Sequence, residues 1–394
     1  MIPRSWRFYS PSGSLDYGGP HTWVVIDWDQ RRWFQVTGPA ETLPDYEDGV
    51  KAVARHVDQL GPDVHSLVIS ANGDLLSVSS VDPTWEIRYP EYSGNLENGE
   101  VARRSELVEV DRLNVCTDLV EYHPAHSKKE LVVFKYTIIQ ERVKNIWDEL
   151  HVLKALKGHE SFVPFHRVII DDVSEKVLGF TSQYISGGNL EDYRDQPFYF
   201  CWLKQLADAV DDLNLRFGLM HQDIAPRNVL IDPQTQDLKL FDFDRSALIG
   251  SESQELQRDD VGGVIFTVYE ALTKDGHYRD VPFDEQEVHK VEALEEWKLV
   301  VPLEDGKGGI MAYRSFLAEW AAVRRTTRTI KHFSEATNPI SWPAYIDPRR
   351  FTFETKNGTH YSVCRKRADA LMFGDYVTCW ERPPQKESQS TSCN

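Results

Sequence analysis

Short apolar-rich runs recur between polar stretches through the first hundred positions: HTWVVIDW, RRWFQVTG, HSLVISANG and LLSVSSV. They are aromatic and β-branched, with turns rich in Gly, Pro and Asp between them, a pattern that predicts strands. One helix is expected near 47–60, and the polar stretch YSGNLENGE ends the region near residue 99. From about 105 the character changes. SELVEVDRLNV, DLVEYH and LVVFKYTII predict strands, the last a buried one because its apolar run is nearly continuous. Val143, Ile146, Trp147 and Leu150 fall at i, i+3, i+4 and i+7 and predict a helix. Two more strands, VPFHRVIID and VLGFTSQYI, follow. Helical spacing then takes over, with Leu203, Leu206, Ala207 and Val210 on one face, and later Val261, Val264, Ile265, Val268 and Leu272. A long helix is expected around 311–325, then irregular and strand-like pieces to about 383 and a polar, disordered tail, PPQKESQSTSCN. Strands with one helix, followed mostly by helices, predict a two-lobed α+β unit.

Composition narrows the function. Hydrophobic residues make up 41% and charged residues 27% of the 394, as in an ordinary globular chain. The net charge of −18 repels nucleic acid and anionic lipid, so neither is an expected partner. Residues 310–394 depart from this, with 13 Lys and Arg against 8 Asp and Glu, and are read as a solvated face. The cysteines, Cys116, Cys201, Cys364, Cys379 and Cys393, lie far apart with no C-x-x-C pair, which fits reduced thiols and a cytoplasmic protein. No signal peptide or membrane span is expected, and the Asn357-Gly-Thr359 sequon is read as a turn.

Candidate chemistry gathers in two stretches. HQDIAPRN, residues 221–228, spaces His221, Asp223 and Asn228 as H-x-D-x-x-x-x-N. In a short loop, that spacing lets an acid meet a nucleophile while an amide oxygen meets a metal; alone it also fits a polar turn before the strand NVLID. Further on, LKLFDFDRSA ends an apolar strand in Asp242-Phe243-Asp244. Two acids near Asn228 offer oxygen ligands of the kind Mg²⁺ takes.

Residues about 110–275 resemble a eukaryotic-type protein kinase domain, of a divergent fungal branch. His221-Gln222-Asp223 is similar to the H-R-D motif and Asp242-Phe243-Asp244 to D-F-G. Lys135 in VVFKY matches the strand lysine, and Glu149 in WDELHVL the helix glutamate that pairs with it. QYISGGNL, residues 183–190, resembles the hinge, and Asp260 the buried aspartate opening the long lower helix. The resemblance implies a two-lobed protein-kinase-like fold: a small β-rich N-lobe with one helix over 105–185 and a larger helical C-lobe over 186–330. An N-terminal α+β extension would take 1–104, a C-terminal extension packing on the core 331–383, and a disordered tail 384–394. It implies ATP and Mg²⁺ as cofactors. Lys135 would bind the α- and β-phosphates, clamped by Glu149, and Asp223 would accept the proton of a protein or small-molecule hydroxyl. Asn228 and Asp242 would hold Mg²⁺; Val120, Gln183, Ile185 and Asn189 would line the nucleotide; His221 would brace the loop.

Several positions depart from that family. LNVCTDLV, residues 113–120, stands where a glycine-rich loop is expected, so backbone amides approach phosphates less closely. Asn114 and Thr117 are possible substitutes, and the alternative readings are a nucleotide-binding pseudokinase acting as a scaffold and a small-molecule kinase-like enzyme with other transfer chemistry. Gln222 replaces the arginine that receives a phosphorylated activation loop, little room separates Asp242 from Asp260, and no A-P-E follows. Activation by loop phosphorylation is therefore not expected. Arg227 either neutralises the transferring phosphoryl group or lies on the surface. Asp244, a second acid in place of glycine, resembles small-molecule kinases, so the acceptor stays open between protein and small molecule.

Overall fold

The strand-like runs of the first hundred residues form a sheet of their own. The computed structural model describes residues 2–91, 100–124, 128–194, 196–347, 351–354, 360–363 and 365–385. The sequon at Asn357, Arg349-Arg350, Cys364, Cys393 and the tail from 386 lie outside them, as do 92–99 of the polar linker. In chain order the elements are β1 (Phe8–Leu15), β2 (His21–Asp27), β3 (Arg32–Gly38), α1 (Tyr46–His56), β4 (Ser66–Ile69) and β5 (Leu75–Ser79). Then come β6 (Val101–Arg103), β7 (Leu107–Asn114), β8 (Thr117–Tyr122), β9 (Glu130–Tyr136), α2 (Val143–Ala155), β10 (Phe165–Ile170) and β11 (Val177–Gln183). They are followed by α3 (Phe200–Asp211), β12 (Leu219–Met220), β13 (Val229–Ile231), β14 (Leu238–Leu240), β15 (Ala247–Leu248) and α4 (Asp260–Thr273). Last are α5 (Val288–Glu292), α6 (Gly309–Thr326), β16 (Phe351–Glu354), β17 (His360–Val363) and α7 (Arg367–Met372). Contacts divide the chain into two units: Met1–Lys144, Arg167–Thr181 and Ile346–Asn394 in one, Asn145–His166 and Ser182–Tyr345 in the other.

In the first unit, β1 to β5 form a sheet in sequence order. Its inward positions, Val25, Phe34, Val36, Leu67 and Ile69, meet Leu43, Val53 and Val57 in a buried core. Each such side chain contributes about 1.5–3 kcal/mol on burial. The carboxylate of Asp45 caps α1 by accepting from the Glu47 and Asp48 N–H groups. A second sheet runs β6-β10-β11-β9-β8-β7. β6 enters it parallel to β10, pairing Val101 with Val168. In β8 and β9 the register pairs Thr117 with Lys135, Asp118 with Phe134, Leu119 with Val133 and Val120 with Val132. Residues 365–385 pack within this unit: Arg367 N–H donates to Thr84 O at 2.8 Å and Glu86 N–H to Arg365 O at 2.9 Å. Trp380 stacks on Tyr136 at 4.7 Å and 10° and donates its Nε1–H to Tyr89 Oη at 2.8 Å.

In the second unit, α3 packs against α4 and α6. α4 is buried along most of its length, because its sequence DVGGVIFTVYEALT is apolar on nearly every side. The cationic residues of 310–394 are not simply a solvated face. Arg324, 6% exposed, donates to Asp211 Oδ1 (2.6 Å) and Asn214 Oδ1 (2.9 Å). Arg325 pairs with Glu292 at 2.9 Å. In the first unit Arg365 pairs with Glu86 at 2.8 Å and Arg367 with Asp82 at 2.7 Å. Neighbouring carboxylates in the fold absorb this charge, and spacing along the chain does not reveal them. Cys116, Cys201 and Cys379 are free thiols. Among the described residues no helix is long and apolar enough to cross a membrane.

Candidate active site in the second unit

The loop at 221–228 is built on a buried carboxylate. Asp260, at the start of α4, accepts from His221 N–H and Gln222 N–H, each at 2.8 Å, and from Asn214 Nδ2 at 2.9 Å. Burial pushes its carboxyl pKa up, while the nearby His221 and these donors pull it down. Gln222 takes φ +65, a left-handed conformation that lets successive amides turn onto one acceptor. His221 is fully buried. Its Nε2 lies 3.0 Å from Phe241 O, and its Nδ1 accepts Asp223 N–H at 3.3 Å. A carbonyl only accepts, so the ring carries its proton on Nε2. His221 braces the loop in the way expected of it.

Asp223 is held from two sides. Arg227 Nη2 lies 2.7 and 2.9 Å from its carboxylate oxygens. Asn228 Nδ2 donates to Asp223 Oδ2 (3.0 Å) and to its backbone O (2.9 Å). Arg227 is half exposed, so this ion pair orients the carboxylate more than it stabilises the fold. Of the two readings weighed for Arg227, neither foresaw the Asp223 pairing. Phe241 N–H donates to Asn228 O at 3.1 Å, which ties the end of β14 to the loop. The next residue, Asp242, takes φ +67. Phe243 is fully buried, its ring 4.8 Å from His221 and 5.8 Å from Phe162, and its N–H donates to Glu149 Oε1 at 3.2 Å. Glu149 thus fixes the residue after Asp242. Its helix is tied in turn by Trp342 Nε1–H to Asp148 Oδ1 (3.0 Å) and Trp147 Nε1–H to Pro343 O (2.8 Å).

Gln222 reaches the segment after Asp242. Its Nε2–H donates to Arg245 O at 2.6 Å, and its Oε1 accepts Glu255 N–H at 2.5 Å. Arg279, not foreseen from the sequence, donates to Ile224 O and Gly263 O at 2.8 Å each and pairs with Glu270 at 3.0 Å. Burial pushes Glu270 up to about 7 against the pull of Arg279. No local pattern marks these residues, since Arg279 lies 55 positions from the carbonyl it holds.

At the hinge-like stretch, Gly187 is required by close approach: a Cβ there would lie 1.8 Å from Ile231 O. Gln183 N–H donates to Pro164 O at 2.9 Å, Ile185 is buried, and Asn189 Oδ1 accepts Asp192 N–H at 3.0 Å, committing it to a local turn. In the first unit Lys135 stands on β9. Paired residues of an antiparallel sheet share a face and neighbours alternate, so Thr117, Leu119 and Lys135 share one face while Asp118, Val120 and Phe134 share the other. The register sets Thr117 opposite Lys135, with Leu119 on the same face and Val120 on the other.

The oxygen donors at Asn228 and Asp242, an amide and a carboxylate, suit a hard cation such as Mg²⁺. Among the described residues no group of three or more His, Cys, Asp and Glu gathers as a metal cage. A Mg²⁺ that keeps its waters and phosphate ligands needs no such cage.

The protein kinase domain family matches residues 122–284. The CBL-interacting serine/threonine-protein kinase 16 of Arabidopsis thaliana is 32% identical over 126 residues, 30% of this chain and 25% of that protein. The CBL-interacting serine/threonine-protein kinase 15 of the same plant is 28% identical over 173 residues, 40% and 38%. The human 2-5A-dependent ribonuclease is 31% identical over 153 residues, 36% and 20%. The chain therefore spans well under half the length of these relatives, which bear on the superfamily and not on a fungal branch. Residues 122–284 thus match the protein kinase domain family, and it is to protein kinases that this part of the chain is similar.

Proposed function

We propose that this chain transfers the γ-phosphate of ATP to a hydroxyl group, most simply that of a protein. The observation that carries the reading is the catalytic-loop carboxylate: Asp223 is held by Arg227 and Asn228 on a loop whose backbone is pinned to buried Asp260. Positioning and electrostatics are most of what phosphoryl transfer asks of a protein. Asp223 orients the attacking hydroxyl and accepts its proton as the new O–P bond forms and the bond from the γ-phosphorus to the bridging oxygen breaks, releasing ADP. Asn228 and Asp242 hold Mg²⁺, which neutralises charge on the phosphates. Lys135 is the residue assigned to the α- and β-phosphates, and Arg227 stays with Asp223. The names of the plant relatives favour a protein acceptor; Asp244 favours a small one. The compartment in keeping with the cysteine usage is the cytoplasm.

A second reading, a nucleotide-binding pseudokinase scaffold, draws on the β7–β8 turn. Leu113, Val115 and Asp118 stand where glycines are expected, and Cys116 takes the left-handed φ of +54 there. Incubation with γ-labelled ATP and Mg²⁺ across a protein and metabolite acceptor panel separates the two. Labelled acceptor that vanishes in Asp223→Asn supports transfer; MgATP binding with no labelled product supports the scaffold.

A further inference from the structure

Within the first unit, the β7–β8 hairpin is gripped by charged and polar side chains from two distant parts of the chain. Asp118 is 1% exposed. Arg31, in the turn between β2 and β3, pairs with its Oδ2. Arg382 reaches both Asp118 oxygens at 3.0 Å and Glu109 Oε2 at 2.7 Å. Arg112, opposite Asp118 in the register, donates to Glu109 Oε1 (2.8 Å), Asp29 Oδ1 (2.7 Å) and Pro383 O (2.9 Å). Gln385 Nε2 donates to Asp111 Oδ1 at 2.8 Å. The clamp also touches the hairpin tip: the Arg31 guanidinium lies 4.3 Å from the Tyr136 ring centroid, and Tyr136 N–H donates to Cys116 O at 3.1 Å.

A carboxylate withdrawn from water needs good partners, and removing one is costly. Both arginines facing Asp118 come from outside the sheet that holds it. Because neighbours on a strand point to opposite faces, fixing Asp118 on one side fixes Thr117 and Leu119 on the Lys135 side. A glycine-rich loop approaches phosphates by backbone freedom; this hairpin has side-chain anchors instead. We propose that the 28–31 turn and the 380–385 segment clamp the β7–β8 hairpin, with Arg31 and Arg382 as positioning residues for the nucleotide it covers. This rests on the phosphotransferase reading.

The test uses the full chain with Arg31→Gln and Arg382→Gln, read by hydrogen exchange over 113–120 without nucleotide and by calorimetric MgATP affinity. Expected are faster exchange in the hairpin and about tenfold weaker MgATP binding, equivalent to ~1.4 kcal/mol. In turnover, KM for ATP rises while kcat stays within about twofold, as for lost uniform binding. Arg31→Lys, which keeps the charge, recovers part of the affinity, and it replaces Arg31→Gln if that variant does not fold. Folded variants with wild-type exchange over 113–120, or with wild-type MgATP affinity, overturn the clamp. A wild type that binds no MgATP overturns the phosphotransferase reading and the nucleotide role together, while the exchange arm still decides whether the clamp exists.

Discussion

Replacing Gln222 with Met keeps the side chain's length and removes its hydrogen bonds. Gln222 is 3% exposed, and its amide spans the segment after Asp242, donating to Arg245 O at 2.6 Å and accepting Glu255 N–H at 2.5 Å. A further contact to Ser253 O is long, at 3.4 Å. Each buried partner left unsatisfied costs about 1–3 kcal/mol. Two such groups, allowing for some access of water on opening, give a loss of roughly 2–4 kcal/mol in the free energy that holds 245–255 closed. At 1.4 kcal/mol per decade, amide exchange in that segment should accelerate about 30- to 1,000-fold. Hydrogen exchange read by mass spectrometry on Gln222→Met and wild type measures this, with peptides from α6 as the internal control. Because a neutral amide already does the tethering, phosphatase treatment of wild type should leave both exchange and activity unchanged. Wild-type exchange over 245–255 in Gln222→Met refutes the tether, and a phosphatase-sensitive wild type refutes its independence of phosphorylation.

Asp223→Asn should cut turnover by about 10²–10⁴-fold while leaving MgATP affinity nearly intact, as expected of a general base. Asp242→Asn should instead weaken MgATP binding, visible as a lost dependence on Mg²⁺ concentration in a nucleotide titration. Arg324→Met should destabilise the chain by about 3 kcal/mol in urea unfolding, since it leaves the largely buried Asp211 with fewer partners. Burial pushes the His151 imidazole from 6.5 down to about 4, aided by Lys154 and opposed by Asp148. The unfolded chain then binds more protons between those values, so stability falls as pH drops from 6.5 towards 4. After discounting for partial exposure the loss between pH 7 and 5 is about 1 kcal/mol, and His151→Gln should abolish it in unfolding curves at those two pH values.

The candidate site was legible to different depths. His221, Asp223 and Asn228 share one short loop, so their spacing alone marked it, and the structure joins Asp223 N–H to His221 and Asn228 to the Asp223 carboxylate. Leu119 and Val120 are neighbours in the chain, and only the pairing register shows that Leu119 is the one on the Lys135 face. Arg227 could be named but not aimed, because a long side chain on a short loop can reach several partners, and only the fold shows that it takes Asp223.

Local periodicity determined most of the elements, since whether a stretch buries one face or two is written in its own residues. It placed the helix at Val143–Ala155, the strand that carries Lys135 and the buried α4. The tertiary structure alone decided partners: β6 parallel to β10, Arg324 against Asp211, and Arg382 against Asp118, 264 positions away. Hydrophobic pattern records how strongly a residue avoids water but not which surface will cover it. An arginine reads the same in sequence whether it faces solvent or closes a buried carboxylate.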